Sequence, residues 1–312
     1  MRLGVLDVGS NTVHLVAVDA RLGGPPTPMS DWKATLKLVE YLDKDGAIDA
    51  KGIKKLTDSV GEAKELAQRL GCDELKPFAT SAVRSAVNAN EVLEHIERET
   101  GVRLEILSGA DEARLTFLAV RRWYGWSAGR ITNLDIGGGS LEMTTGVNEE
   151  PDVAVSLDLG AARLTHNWFD IDPPERKTVN LLRDYIDAEL VEPAKEMRAH
   201  GQARLAVGTS KTFRTLARLT GAAPSSAGIH ITRELTAPGL RQLIAFISRM
   251  TAADRAELEG VSANRSHQIV AGALVAEAAM RALNIERLEI CPWALREGVI
   301  FRRIERGLDL QS

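Results

Sequence analysis

Of 312 residues only two are cysteines, Cys72 and Cys291. So few thiols exclude a disulfide framework and a cysteine-built metal knuckle, and they fit a reducing cytoplasm. The six histidines are scattered, with no His-x-x-x-His pair, which argues against a zinc site. The Gly-x-Ser-x-Gly elbow of serine hydrolases is missing. Net charge is only −4, and the Lys and Arg residues are dispersed. Nothing global therefore draws the chain to nucleic acid or to an anionic membrane, and any anionic substrate must be held by a local site. The longest helical apolar stretch, residues 269–280, is too short to span a bilayer and contains Glu277. There is no low-complexity segment, heptad array or N-terminal leader pattern, so a cytoplasmic protein is expected.

What is present is ordinary in bulk and unusual in detail. The length suggests two domains, and 44% hydrophobic with 26% charged residues is the composition of a soluble globular chain. Apolar strand patterns alternate with helical periodicities, which predicts the α/β class. Helices are expected over 52–70, stopped by Gly71, and over 91–100, stopped by Gly101. A turn region is expected over 21–28, a third strand over 35–39 and another over 102–107. A long helix should follow Pro173-Pro174. Further helices are expected over 211–220, 234–251, 264–283 and 293–305.

The informative detail is a repeat. Residues 3–19 read as an apolar strand, an Asp-x-Gly turn and a second apolar strand, and residues 131–143 repeat this in degenerate form. Asp7 aligns with Asp135, Gly9 with Gly137, and His14 with Glu142. Two such hairpins predict two similar half-domains facing each other across a cleft. Glycine-rich turns let backbone N–H groups approach an anion closely. A neighbouring Asp repels a bare phosphate but welcomes one carried on a divalent cation.

In the first turn Gly9 permits the bend, and Ser10, Asn11 and Thr12 supply donors; a plain β-hairpin reads the same way. The second turn, Gly137-Gly-Gly-Ser140, is the stronger signal, because three successive glycines are entropically costly. Ser108 to Asp111 forms a capping box, which occupies Asp111. Glu112, one residue on, suits either a general base at a strand exit or a first-turn acid complementing the helix dipole. Arg84 suits a bidentate grip on phosphate or a solvated helix face. Gly208-Thr-Ser-Lys211 falls short of a P-loop, yet could form a third small-residue turn around substrate or nucleotide, with Lys211 adding charge.

Taken together these segments resemble the exopolyphosphatase / guanosine pentaphosphate phosphohydrolase family, within the superfamily of sugar kinases, Hsp70 and actin. The matching stretches are Asp7-Val-Gly-Ser-Asn-Thr12, residues 79–88, 108–115 and 134–142, and Trp293-Ala-Leu-Arg-Glu-Gly-Val299. They span essentially the whole chain in the family's order. Asp111-Glu112 stands where the family usually has Glu-Glu, and Gly208-Thr-Ser-Lys211 where a Gly-Ala-Ser-Gly type turn is common.

The resemblance implies two ribonuclease-H-like (actin-like) domains flanking a central cleft. They are expected at 1–124 and 125–312, with the last helix (about 295–312) packing back onto the first. The chain would be the short, two-domain form. The resemblance also implies Glu112 as the catalytic carboxylate, Asp135 and Glu142 as acids near Mg²⁺ and the attacked phosphate, and Arg84 as a phosphate ligand. The expected activity is Mg²⁺-dependent removal of the terminal phosphate of inorganic polyphosphate, with short chains preferred. Asp7, Asp135 and Glu142 would hold the cation, with Mn²⁺ an equal fit to oxygen ligands. Gly9, Ser10, Asn11, Thr12, Arg84, Gly137, Gly138, Gly139, Ser140, Gly208, Thr209, Ser210 and Lys211 would hold phosphates, with Arg163 or Arg265 as further cations. Hydrolysis of guanosine pentaphosphate, a sugar or acid kinase, and a polyphosphate or alarmone sensor of low turnover are the alternatives. A homodimer with no nucleic-acid or membrane partner is expected.

Overall fold

The structure is a computed structural model that describes residues 1–20 and 27–309, with the side chains of 27 and 306–309 left out of account. Most of the turn region expected over 21–28 therefore lies outside the described residues. Backbone contacts divide the chain into two compact units, Met1–Leu115 with Leu295–Ser312, and Thr116–Ala294.

In the first unit β1 (Arg2–Val8) and β2 (Thr12–Asp19) form a hairpin in strict register, and β3 (Thr27–Thr35) pairs antiparallel with β2. After α1 (Ala50–Arg69), β4 (Glu74–Ala79) pairs parallel with β1. A single turn, α2 (Ser81–Arg84), and α3 (Ala89–Thr100) lead to β5 (Glu105–Ile106), parallel with β4. The sheet order is β3-β2-β1-β4-β5, the ribonuclease-H-like arrangement. Alternation along β1 places Leu6 and Val8 in a core with Leu56, Val60 and Ile96 of α1 and α3, while Leu3 and Val5 join Phe78 and Ile300 in another. Gly71 and Gly101, both at φ 67°, stop α1 and α3 as their sequence positions predict.

Helix α4 (Gly109–Tyr124) begins in the first unit, and its residues from Thr116 belong to the second. There β6 (Ile131–Ile136), β7 (Leu141–Gly146) and β8 (Val153–Leu157) form an antiparallel meander. Helices α5 (Ala161–Trp168) and α6 (Arg176–Ala199) precede β9 (Leu205–Thr209), which pairs parallel with β6. Then come α7 (Ser210–Leu219), β10 (Glu234–Thr236), α8 (Ala237–Ile247), α9 (Ala252–Ala256), α10 (Ile269–Ala282) and β11 (Arg287–Ile290). The sheet order is β10-β11-β9-β6-β7-β8. Every residue from Ile269 to Met280 is buried, so the apolar stretch is the central core helix of this unit. No described helix is long and apolar enough to cross a membrane. The chain closes with α11 (Leu295–Asp309), which groups with the first unit and seats Ile300 against Leu3 and Val5.

Three elements depart from the expected pattern. The third strand lies at Thr27–Thr35 rather than 35–39. The Leu36 and Leu38 N–H groups instead donate to the carbonyls of Asn11 and Ser10, at 2.8 and 2.7 Å, and a 3₁₀ turn follows at Leu38–Tyr41. The strand expected over 102–107 is only the pair Glu105–Ile106. The helix expected from 234 is a short edge strand until Thr236, whose side chain caps α8 by accepting from Gly239 N–H, with a proline in the first turn.

Candidate active site

The two repeat turns close in the same way. Gly9 N–H donates to the Thr12 carbonyl at 3.0 Å, and Gly137 N–H to the Ser140 carbonyl at 2.9 Å. Ser10-Asn11 and Gly138-Gly139 are the central pairs. The carbonyls of Ser10, Asn11 and Gly138 are taken by neighbouring backbone. Ser10 and Asn11 accept from residues 36–38. Gly138 accepts from the N–H groups of Ala162 and Arg163, both at 2.9 Å, at the start of α5. Among the described residues, no backbone carbonyl receives the N–H of Ser10, Asn11, Gly138 or Gly139.

None of these turn glycines has positive φ, so their role is close approach rather than unusual backbone. The approach is visible at Gly160, where an added Cβ would fall under 3.0 Å from Gly139 N, Gly139 C and Ser140 N. Helix α5 starts against the glycine turn with no room for a methyl group. In the first unit the buried Ser10 hydroxyl lies 3.2 Å from that of Ser81 at the start of α2.

Glu112 occupies the first turn of α4, with its side chain 14% exposed. Arg84, at the end of α2, donates through Nη1 to Glu112 Oε2 at 3.1 Å and to the Leu107 carbonyl at 2.8 Å. A guanidinium on one carboxylate oxygen fixes the direction in which that carboxylate points. Asp111 is occupied as its spacing predicts, though its carboxylate takes the Ser108 hydroxyl, at 2.6 Å, and its own N–H returns to Ser108 Oγ.

The second unit holds the acids in a row across four strands. Thr209 on β9 is the register partner of Asp135 on β6, Asp135 of Glu142 on β7, and Glu142 of Ser156 on β8. Register partners share a face. The outer hydroxyls donate inward: Thr209 Oγ1 to Asp135 Oδ2 at 2.5 Å, and Ser156 Oγ to Glu142 Oε1 at 2.8 Å. Desolvation pushes the Asp135 carboxyl above the usual carboxylate range, opposed by the Thr209 hydrogen bond and then by the charge of Arg214. Among the described residues no group of three or more His, Cys, Asp or Glu side chains is placed to hold a metal. Two adjacent carboxylates nevertheless fit Mg²⁺, which keeps several waters and uses one or two carboxylates plus substrate phosphates.

The third small-residue turn is built differently from the other two. A Cβ on Gly208 would fall under 3.0 Å from side-chain atoms of Leu288 and Phe213, so this glycine serves core packing. Thr209 is fully buried with its proton on Asp135, which turns it away from the phosphate contact expected of it. Ser210 takes a left-handed backbone at φ 73°, and Lys211 is exposed. Gly160, Ser81 and Ser156 escaped the sequence reading. Only Ser156 carried a signal, as the polar residue inside the apolar strand Val153–Leu157.

The chain and its fold have counterparts among known proteins. Residues 15–306 match the Ppx/GppA phosphatase family. The chain belongs to the Ppx/GppA phosphatase family. Within it, the chain is 65% identical to Exopolyphosphatase 1 of Mycobacterium tuberculosis, over 99% of this chain and 90% of that protein. It is 27% identical to a guanosine-5'-triphosphate,3'-diphosphate pyrophosphatase of Aeromonas hydrophila, over 98% of this chain and 60% of that one. An exopolyphosphatase crystal structure from Cytophaga hutchinsonii superposes with a TM-score of 0.88 at 24% identity, covering 98% of both chains, and so shares the fold.

Proposed function

We propose that this member of the Ppx/GppA family is an exopolyphosphatase, hydrolysing the terminal phosphoanhydride of inorganic polyphosphate and releasing orthophosphate. One observation carries the reading: two equivalent turns, each with a pair of backbone N–H groups that no backbone carbonyl receives among the described residues, each following a strand that carries an Asp near its end. The 65% identity to a protein named Exopolyphosphatase 1 supports it.

Phosphoanhydride hydrolysis asks for charge neutralisation and an aligned water more than for covalent chemistry. The N–H groups of Ser10, Asn11, Gly138 and Gly139 serve as anion donors, with the hydroxyls of Thr12 and Ser140 beside them, while Gly9 and Gly137 close the turns. Glu112 orients the attacking water and accepts its proton, held in place by Arg84. Asp135 and Glu142 hold a divalent cation, Mg²⁺ by preference. When bound, such a cation neutralises phosphate charge that the acids would otherwise repel. Ser210 and Lys211 serve the trailing phosphates. Work in the cytoplasm as a homodimer belongs to the same proposal.

The alternative substrate is guanosine pentaphosphate, because both present a terminal phosphoanhydride and the 27% identical relative is named for that nucleotide. Phosphate release from polyphosphates of defined length, run beside guanosine pentaphosphate, tests the choice. Faster turnover of the nucleotide overturns the polyphosphate reading. Loss of neither activity in Glu112→Gln overturns the site.

A further inference from the structure

The row Thr209–Asp135–Glu142–Ser156 is symmetric in chemistry: a hydroxyl, two carboxylates, a hydroxyl. We infer that Thr209 and Ser156 are positioning residues, each fixing one oxygen of its neighbouring carboxylate so that the pair presents a preset two-acid grip to a divalent cation. The inference rests on the proposal that Asp135 and Glu142 hold that cation.

Three observations support it. First, a hydroxyl has one proton, and both are spent on the acids. Thr209 Oγ1 also lies 3.4 Å from the Leu134 carbonyl and 3.5 Å from Asn133 Oδ1, but its shortest contact by far is Asp135 Oδ2, at 2.5 Å. Second, Thr209 gives up an alternative use. It is the N-cap of α7, where a threonine side chain ordinarily accepts from the helix's first amides. Here it makes no cap bond. The Ser210 hydroxyl sits 3.5 Å from Phe213 N–H instead, and Ser210 takes a left-handed backbone that serine rarely adopts. Third, the row is enforced by the sheet. Register pairing across β9, β6, β7 and β8 puts all four side chains on one face without help from any loop. Two like charges directly opposite each other on a sheet repel. Hydroxyl donors outside the pair reduce that repulsion, and fix which oxygen of each acid is already occupied.

The role separates from plain structural support by the readout. Groups that orient metal ligands typically change metal affinity or activity by about 10–100-fold when removed. Thr209→Val keeps the shape and loses the proton; Thr209→Ser keeps the proton. Mn²⁺ binding, followed by electron paramagnetic resonance without substrate, should weaken by about 10–100-fold in Thr209→Val and by a similar factor in Ser156→Ala. Thr209→Ser should bind Mn²⁺ as the wild type does. In the Val variant kcat should recover as the metal concentration is raised, with KM for polyphosphate unchanged. If Thr209→Val does not fold by circular dichroism, Thr209→Ala carries the same readout. Asp135→Asn is the control. Wild-type Mn²⁺ affinity in Thr209→Val and Ser156→Ala, with affinity lost in Asp135→Asn, overturns the positioning role and leaves the cation site standing. Wild-type affinity in Asp135→Asn overturns both.

Discussion

Gly160→Ala is the sharpest test of the glycine turn, because at this position a methyl group can act only through steric contact. Gly160 has φ −73° and ψ 147°, a conformation any residue adopts, so alanine brings no backbone strain. What it brings is a methyl group under 3.0 Å from Gly139 N, Gly139 C and Ser140 N. Carbon normally rests about 3.5–4.0 Å from its neighbours. The neighbours are backbone and cannot swing aside, so α5 or the turn must shift by roughly an ångström. Overpacking of this kind costs about 1–3 kcal/mol, and each kcal/mol lowers Tm by roughly 2–4 °C in a unit of this size. The functional loss should be larger, because a displacement of about 1 Å at a reacting group costs on the order of 10²-fold in turnover. Phosphate release should be followed well below the variant's Tm, with folding checked by circular dichroism, so that lost activity is not lost protein. A folded Gly160→Ala enzyme with wild-type turnover would refute the idea that α5 sets the position of the Gly138–Gly139 amides.

Glu112→Gln should retain polyphosphate binding and lose ~10²-fold or more in kcat, measured by phosphate release and by equilibrium binding. Arg84→Met separates two roles. Because Arg84 bonds Glu112, kcat should fall by about 10-fold or more with KM little changed; a KM effect alone would return Arg84 to phosphate binding. Arg303→Met tests the clamp between α11 and β4. Arg303 Nε lies 2.9 and 2.8 Å from the two Glu74 oxygens, and that hydrogen bond holds the Glu74 carboxyl below its usual range. A depressed folded-state value gives stability that is complete above the unfolded glutamate pKa and lost as pH falls through the folded one. The variant should therefore be less stable by about 1 kcal/mol at neutral pH, and thermal melts should show the difference vanish in acid; a gap unchanged at low pH would refute the assignment.

The sequence made the repeat legible because a hairpin encodes its own ends. Alternating apolar residues fix the register, and a small-residue turn fixes the bend, so the pairings of Asp7 with His14 and Asp135 with Glu142 follow from local pattern. The row beyond the hairpin is not local. Thr209 is 74 residues from Asp135, and only the parallel pairing of β9 with β6 brings them together. The edge strand Glu234–Thr236 is hidden for a related reason. Three residues carry no periodicity, and the strand exists because β11 pairs with it. Gly160 was invisible because a lone glycine after an Asp-Leu pair reads as an ordinary turn, and its requirement comes from the Gly139 backbone packed against it.

The two copies of the hairpin have diverged at their register rows, and the divergence bears on what each copy does. In the first unit the row reads Phe78, Asp7, His14, Lys33. His14 is buried, with Nδ1 facing Arg296 and Nε2 at 3.3 Å from Asp31. The ring is thus held between an arginine of α11 and an aspartate of β3. Opposite Asp7 there stands a histidine that reaches Arg296 of α11. In the second unit the same place holds Glu142, and the flanking Phe78 position holds Thr209. Two facing carboxylates are unfavourable alone and favourable around a cation. On the proposed reading the second row, with two acids between two hydroxyls, suits carrying the metal, and the first, with one acid beside a histidine and a lysine, does not. Exchanging His14 for Glu should on this account weaken phosphate binding through repulsion, raising KM for polyphosphate while leaving Mn²⁺ affinity at Asp135 and Glu142 as it was.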